Sequence, residues 1–433
     1  MTMDVLNAIP SLLLGVGGTL LIFGCVILFT VRRWEMIIAY ILFSIIEQHL
    51  GFDAGIRIID YTVSPMDMLS FAAATAAGLR LLGRARTDII ELLWLLAALA
   101  LLAAFAHGVQ TYGFQSATIF YRRFFYLTAA IVYVLSFPWS SRDIDRLVWI
   151  WTGVALIMAT LAITGWLDLI PTPWVDKRSH GSVYDSERVL PASSALILAE
   201  AGLIGLATWS RLSTIGAQRV LPILFLVIMA LLYHRTVWLA TLVGIASIFL
   251  LQPRAVARLG VPLIVGFLVT VALWTLRLGL GDESLAQSMQ AAITEPFEQT
   301  STYNWRVEGW EILLSRAFSD GIATIFMGAG FGVGYGRQMG WALVEYSPHN
   351  FYLEIFLNAG LVGLVLWLLA ITETGVRMFR GAALTSGRLD QAGALAVLVA
   401  MTFYNIPYSL TSEQGLLIGM LAAMVRPQAG ERT

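Results

Sequence analysis

Long apolar segments separated by short polar connections run through the whole chain. A membrane-spanning helix needs about 20 mostly apolar residues, and segments of this kind recur from end to end. They predict spans at 8–30, 35–52, 66–83, 88–107, 118–138, 146–167, 190–209, 219–234, 236–252, 260–277, 348–370, 391–408 and 412–425. The 35–52 segment contains Glu47 and His49, so it could be lost or merged. We therefore expect an all-α polytopic membrane protein with about 12–13 transmembrane helices.

The composition excludes several classes of protein. Of the 433 residues, 58% are apolar and only 13% are charged, whereas soluble domains carry roughly 25% charged residues. Together with the recurring apolar segments, this excludes a cytosolic enzyme, a secreted disulfide scaffold and a nucleic-acid binder. The single cysteine, Cys25, can form no intramolecular disulfide. Because repeats and low-complexity tracts are absent, we expect residues 1–433 to form one integral membrane domain.

The arginines predict the orientation of the chain. More than half of the 27 Lys and Arg residues lie in short connections that the predicted spans place on one side. Basic residues are retained in cytoplasmic loops, so this side is predicted to be cytoplasmic, together with the C-terminus. The side of the N-terminus depends on the number of spans.

The remaining basic residues fall on the outer side, where they are disfavoured. They suggest binding of an anionic ligand there, although each could instead pair with loop acids such as Glu308 or Glu311. These outer residues are Arg57, Arg122, Arg123, Lys177, Arg178, Arg188, Arg235, Arg277, Arg306, Arg316 and Arg337.

Two predicted periplasmic loops are long enough to hold a site, a smaller one at 168–189 and a large one at 278–347. The large loop should carry short helices, the clearest at 302–318. There, Gly309, Trp310, Leu313 and Ala317 follow Arg306 at helical spacing, opposite a polar stripe of Glu308, Glu311 and Ser315. An arginine on the packed face needs an anionic partner. That partner is either an internal carboxylate or the phosphate of a ligand.

Alternating glycines at 328–336 precede Arg337. Their spacing is not that of a dinucleotide-binding loop, and no strand–helix–strand unit surrounds them, which excludes nucleotide binding. Two interpretations remain. The segment is either a flexible turn whose backbone N–H groups approach a ligand or a structural linker.

The sequence SPHN at 347–350 immediately precedes a predicted span. Ser347 suits a helix cap and Pro348 the first helical position. His349 and Asn350 would then lie in the first turn, where the helix dipole keeps the imidazole neutral. A neutral, accessible imidazole can serve as a general base; the alternative is an interfacial hydrogen-bonding residue.

A tight turn at 233–235 places His234 and Arg235 at the same outer surface. Arg235 has no acidic neighbour in the sequence. Its charge must therefore be satisfied by water, another segment or a ligand.

These motifs together resemble the O-antigen polymerase and ligase superfamily, which includes the Wzy-type polysaccharide polymerases and the WaaL-type O-antigen ligases. The resemblance lies in HRTVWLATLVG with Arg235, NWRVEGWEILL with Arg306, the glycine run and SPHNFYLEIFLNAGLVG with His349 and Asn350. It covers roughly residues 220–370 by motif. The chain departs from the family at Asn358, where an acidic residue is common, and at His234, where serine is common.

The resemblance implies an integral glycosyltransferase of the bacterial inner membrane, with its active site facing the periplasm. The donor would be an undecaprenyl-diphosphate-linked glycan, and the acceptor another glycan or lipid A core. No metal, cofactor, nucleotide sugar or nucleic acid is expected, whereas a flippase and a chain-length regulator are possible partner proteins. His349 would be the general base, and Arg235 and Arg306 would stabilise the leaving diphosphate. Weaker candidates for binding the substrate are Arg178, Arg188, Arg337 and Asn350.

Three functions follow from these expectations. We favour a polymerase that joins lipid-linked repeat units into O-antigen, capsule or exopolysaccharide, because polymerases are the more numerous group. The alternative is a ligase that transfers the glycan to lipid A core or a protein. A transporter or flippase of an anionic solute is the third possibility, and it would explain acidic residues such as Glu200 and Glu354 within predicted spans. It is disfavoured because no inverted repeat is visible.

Overall fold

The computed structural model is almost entirely helical, which confirms the all-α class. It describes residues 23–49, 55–58, 61–84, 87–167, 169, 189–208, 217–252, 255–279, 302–339, 342–381 and 390–426. Most of the predicted span 8–30, nearly all of the 168–189 loop and part of the 278–347 loop lie outside these residues. Residues 23–31 are helical and lead into the first complete helix.

The helices agree closely with the predicted segments. Their bounds are α1 Arg33–Ser44, α2 Pro65–Leu82, α3 Ile89–Tyr112, α4 Phe114–Leu135, α5 Ser141–Trp166, α6 Ala192–Thr208, α7 Ala217–Leu231, α8 Arg235–Leu251, α9 Ala255–Gly279, α10 Thr302–Ser319, α11 Ile322–Met327, α12 Phe351–Phe379, α13 Gln391–Tyr404 and α14 Ser412–Met424. A π-helical turn at Ile45–His49 extends α1.

Four of these helices, namely α3, α4, α5 and α12, are long and apolar enough to cross a membrane. Shorter apolar helices accompany them at Ala192–Thr208, Val220–Leu231, Arg235–Leu251, Leu263–Leu273 and Gln391–Tyr404. The polytopic membrane architecture is therefore confirmed, while the total of 12–13 spans stays a prediction.

Two short antiparallel hairpins were not predicted. The first pairs β1 (Ile56–Ile58) with β2 (Tyr61–Val63), and the second pairs β3 (Arg337–Met339) with β4 (Ala342–Val344). In the second hairpin Arg337 lies opposite Val344. This hairpin connects the glycine run to the SPHN segment and fixes the position of Arg337 relative to both.

Close helix contacts depend on small residues. A Cβ atom on Gly415 of α14 would lie 2.4 Å from the carbonyl oxygen of Leu127 in α4. Larger side chains would force these helices apart, because a packed interior does not absorb extra volume. Helix α12 packs against α3, where Trp94 and Trp367 meet edge to face with centroids 5.0 Å apart.

Helix α12 is broken at Gly360, which has φ +65° and ψ −166°. A Cβ atom there would lie 2.3 Å from the carbonyl group of Phe326, because the end of α11 and the start of the glycine run cross the helix at this point. The backbone N–H groups of Ala329 and Gly330 donate to the carbonyls of Leu357 (2.9 Å) and Asn358 (3.0 Å). The crossing segment thus uses carbonyl groups that the break leaves without helical partners.

Candidate active site

The SPHN segment forms a strained turn instead of the first turn of a helix. His349 has φ +52°, and among the described non-glycine residues only Tyr233 also has a positive φ. The predicted cap at Ser347 was wrong: Asn350 is the cap, its side-chain oxygen accepts from the N–H of Leu353 at 2.9 Å, and the helix begins at Phe351. The left-handed backbone at His349 explains the difference, since it cannot be part of a right-handed helix.

Contacts from two other segments hold this turn in place. The indole N–H of Trp310 in α10 donates to the carbonyl of Pro348 at 2.6 Å. The N–H of Phe351 donates to the carbonyl of Asn405, at the end of α13, at 3.0 Å. Strained backbone of this kind persists only where the surrounding structure fixes it, and it is concentrated at functional sites.

Helix α10 confirms the amphipathic helix that was predicted at 302–318. Its packed face includes Leu313 and Ala317, which are 1% and 5% exposed, whereas Glu308 and Glu311 are exposed on the other face. Arg306 lies one turn before Trp310, the residue that holds the His349 turn. The helix therefore directs Arg306 and Trp310 to the same part of the molecule.

Arg306 is held without a carboxylate partner among the described residues. One guanidinium nitrogen donates to the carbonyl of Pro407 at 3.3 Å, and the guanidinium carbon lies 5.2 Å from the ring centroid of Tyr408. From the sequence, two alternatives were expected for the partner of Arg306, an internal carboxylate or the phosphate of a ligand. The part of the chain that the structure describes offers no such carboxylate.

Arg337 is buried, with only 3% of its surface exposed. Its Nη1 donates to the carbonyls of Tyr335 (3.1 Å) and Tyr346 (2.9 Å), while Nε has no hydrogen-bond partner in the described structure. Gly309 makes room for it, since a Cβ atom there would lie 2.6 Å from Nε. Burial lowers the pKa of Arg337 from its ordinary value. A cation kept inside the protein by carbonyl groups retains donor capacity for an anion.

The charges around His349 determine its protonation state. Partial burial and the positive charges of Arg306, Arg123 and Arg337 lower the pKa of His349 to about 4. The residue nevertheless remains exposed. A neutral imidazole at pH 7 was expected because of the helix dipole. In the structure, burial and the nearby arginines lower the pKa instead. The ring can therefore accept a proton at neutral pH.

One residue at this site was not predicted to have a role in it. Glu354, in the first turns of α12, has no exposed surface and pairs with Arg123 of α4. It also accepts hydrogen bonds from the hydroxyls of Ser347 and, at 3.4 Å, Ser409. Its one signal in the sequence was its charge within an apolar helix, which marks a functional position by default.

The glycine run is closely packed against the helices. Gly328, Gly330, Gly332 and Gly334 all have positive φ, from +73° to +106°. A Cβ atom on Gly330 would lie 2.8 Å from the backbone nitrogen of Gly108 in α3. The N–H groups of residues 329–331 donate to protein carbonyls. These contacts favour the structural linker over the ligand-binding turn, at least for residues 329–331.

Arg235 begins α8 and lies at the same end of the helices as Arg306. Helices α8 and α13 are antiparallel, since Gln252 donates to Asp390 at 2.7 Å and Gly244 lies against Ala396. Continuing this alignment places Arg235 level with Tyr404. Tyr404 stacks on Tyr408, the ring that faces Arg306, with centroids 5.1 Å apart.

The other predicted residues have different outcomes. Arg178 and Arg188 lie outside the described residues. Asn350 uses its side-chain oxygen as the helix cap, so its role in binding a substrate stays a prediction. The described residues contain no group of three or more His, Cys, Asp or Glu side chains that could hold a metal ion.

One comparison with known proteins covers the segment that contains several of these residues. A family model described as O-antigen ligase (Wzy_C) matches residues 220–368, a range that includes Arg235, Arg306, Arg337 and His349. No curated protein matches the chain. The predicted resemblance is therefore confirmed: residues 220–368 are similar to this family, and the match supports a polymerase or ligase role in surface glycan synthesis.

Proposed function

We propose that the protein is a periplasmic-face glycosyltransferase that polymerises undecaprenyl-diphosphate-linked repeat units into a surface polysaccharide. The observation that carries this proposal is the site around His349. A neutral, exposed imidazole stands on a strained turn, and three arginines act on it electrostatically. Two of these, Arg306 and Arg337, have no carboxylate partner among the described residues.

The arginines suit the leaving group of the reaction. A lipid diphosphate departs with several negative charges, and arginine forms paired hydrogen bonds to phosphate oxygens. Arg306 and Arg235 would bind the diphosphate and stabilise the charge that develops on it. The buried Arg337 would strengthen the positive electrostatic potential at this site. Because these side chains supply the positive charge, the proposal requires no metal ion.

His349 would act on the acceptor. Its ring nitrogen removes the proton from an acceptor sugar hydroxyl, whose oxygen then forms a bond to the anomeric carbon of the donor. The bond between that carbon and the diphosphate oxygen breaks, and its electron pair leaves on the diphosphate. A direct displacement of this kind inverts the anomeric centre.

The ligase remains the second candidate, and the description of the matching family model favours it. Both reactions use the same donor and the same catalytic groups, so they differ in the acceptor alone. Transfer to a second lipid-linked repeat unit defines the polymerase. Transfer to lipid A core or a protein defines the ligase.

A gel assay with purified protein tests the proposal. Lipid-diphosphate-linked repeat units from the native host are supplied without any other acceptor. A ladder of lengthened glycan that His349→Ala abolishes would support the polymerase. Transfer that begins only when lipid A core is added would identify a ligase instead. No transfer in either case would contradict both and favour the transporter.

A further inference from the structure

The buried carboxylate of Glu354 is connected to both parts of the proposed site. Glu354 lies in α12, has no exposed surface, and accepts hydrogen bonds from the hydroxyls of Ser347 and Ser409. These serines belong to separate segments, one before α12 and one after α13. A single side chain therefore joins two loops that are distant in the sequence.

Each serine is adjacent to a residue with a proposed role. The hydroxyl of Ser347 also accepts from the backbone N–H of His349 at 3.2 Å, across the strained turn. Ser409 directly follows Tyr408, whose ring faces the guanidinium of Arg306. Glu354 is thus connected to the turn that carries the base and to the loop against which the phosphate-binding arginine rests.

The carboxylate is itself fixed from the opposite side. Arg123 of α4 pairs with the Glu354 carboxylate, while the side chain of Asn358 donates to the backbone carbonyl of Glu354 at 2.7 Å and to the Tyr335 hydroxyl at 3.1 Å. A buried charge that is paired in this way is held in one place. The two loops are consequently held by a carboxylate that is buried and fixed in position.

We propose that Glu354 is a positioning residue for glycosyl transfer, which sets the separation between His349 and Arg306 through Ser347 and Ser409. This inference rests on the proposed function, because it assigns those two residues to the acceptor and the diphosphate. A carboxylate has two acceptor oxygens for a guanidinium and two hydroxyls, whereas a glutamine amide has one. Glu354→Gln therefore weakens the connection with little change in volume.

The competing role is purely structural, in which Glu354 only neutralises Arg123. The two roles predict different results for Glu354→Gln, Ser347→Ala and their combination. If Glu354 acts through Ser347, adding Ser347→Ala to Glu354→Gln causes little further loss, because both variants break the same connection. If Glu354 only neutralises Arg123, the two losses multiply.

The test measures kcat and KM for these variants in the glycan-ladder assay. We expect Glu354→Gln to reduce kcat by about 100-fold, the effect of misplacing a catalytic group by 1 Å, with KM nearly unchanged. Glu373→Gln is the matched control, since Glu373 lies on the same helix and pairs with Arg377 at 2.8 Å. It should keep normal kcat. Multiplying losses, or a normal kcat for Glu354→Gln, would overturn the proposal.

Hydrogen exchange at residues 346–351 provides a second measurement that needs no activity. Glu354→Gln should accelerate exchange in this peptide, and Glu373→Gln should not. Unchanged exchange in a folded Glu354→Gln protein would overturn the inference, whether or not the wild-type protein transfers glycan. Absence of glycan transfer by the wild-type protein would contradict the proposed function alone. If Glu354→Gln fails to fold, the double variant Arg123→Gln/Glu354→Gln is used, because it also removes the charge of Arg123 that the single variant leaves unpaired. Wild-type kcat and exchange in that pair would overturn the positioning role.

Discussion

Arg377 at one end of the helices and Arg306 and Arg337 at the other are held in different ways. At the end that carries the start of α3 and the last turns of α12, Arg377 pairs with Asp88 (3.0 Å) and Glu373 (2.8 Å), and Glu91 pairs with Arg84 (2.6 Å). At the His349 end, Arg306 and Arg337 are held by carbonyl groups and aromatic rings, with no carboxylate among the described residues. Paired arginines such as Arg377 join helices, whereas Arg306, which is partly exposed, retains donors for an anion.

The two described turns that contain a non-glycine residue with positive φ also differ from each other. Tyr233 and His349 both have positive φ shortly before a helix begins. After the first, His234 is buried, and its Nε2 contacts the carbonyl of Leu190 at 2.8 Å. In the second turn the residue with positive φ is His349 itself, and it remains exposed. Positive φ alone therefore does not distinguish a general base, and the proposed role of His349 rests on its exposure and its surrounding charges.

The largest expected effect is that of His349→Ala. We expect it to reduce kcat by about 10²–10⁴-fold, the usual contribution of a general base, without lowering the thermal unfolding temperature. His234→Ala is the matched control, and it should lower that temperature while preserving kcat, because it removes a buried hydrogen bond. Turnover and thermal unfolding are measured for both. Normal turnover by His349→Ala would contradict its assignment.

Arg306→Gln should have the next largest effect. Losing one charge-stabilising group in a transition state costs about 10²–10³-fold in kcat. Since Arg306 pairs with no described carboxylate, its replacement leaves no buried acid without a partner, and stability should change little. Steady-state turnover and thermal unfolding separate the two effects. A large loss of stability with normal kcat would mean that Arg306 is structural, like Arg377.

The pH dependence of kcat/KM sharpens the comparison further. The pKa of His349 is about 4, against an ordinary value of 6.5, and a base must be neutral to act. Activity should therefore persist as the pH falls below 6.5 and should decline only as the pH approaches 4. In Arg306→Gln one positive charge is removed, so the decline should begin at a higher pH. A wild-type decline near pH 6.5 would contradict this electrostatic environment.

Arg377→Gln should have the smallest effect. The side chain is 18% exposed, and partly exposed ion pairs contribute about 1 kcal/mol or less. We expect a small decrease in the free energy of unfolding and a kcat close to that of the wild type. Chemical denaturation and the turnover assay measure these two quantities. If Arg377→Gln lost as much turnover as Arg306→Gln, the proposed distinction between a structural Arg377 and a substrate-binding Arg306 would be wrong.

The sequence predicted features that depend on local patterns. Apolar segments predicted most helices to within a few residues, and the spacing around Arg306 predicted the packed face of α10. Features that depend on distant residues were missed. The partners of Glu354 lie at Arg123 and Ser409, and the break at Gly360 depends on Phe326, so neither follows from the neighbouring sequence. The positive φ of His349 was missed because non-glycine residues rarely adopt it.

The break at Gly360 also affects how the site responds to the lipid bilayer. A long helix changes its tilt when the thickness of the hydrocarbon layer changes, and an unbroken helix would carry that rotation to its end. In α12 the segment before Gly360 is hydrogen-bonded to the chain at residues 329–330. We therefore expect the longer segment after Gly360 to change its tilt with membrane thickness while the turn that carries His349 keeps its orientation.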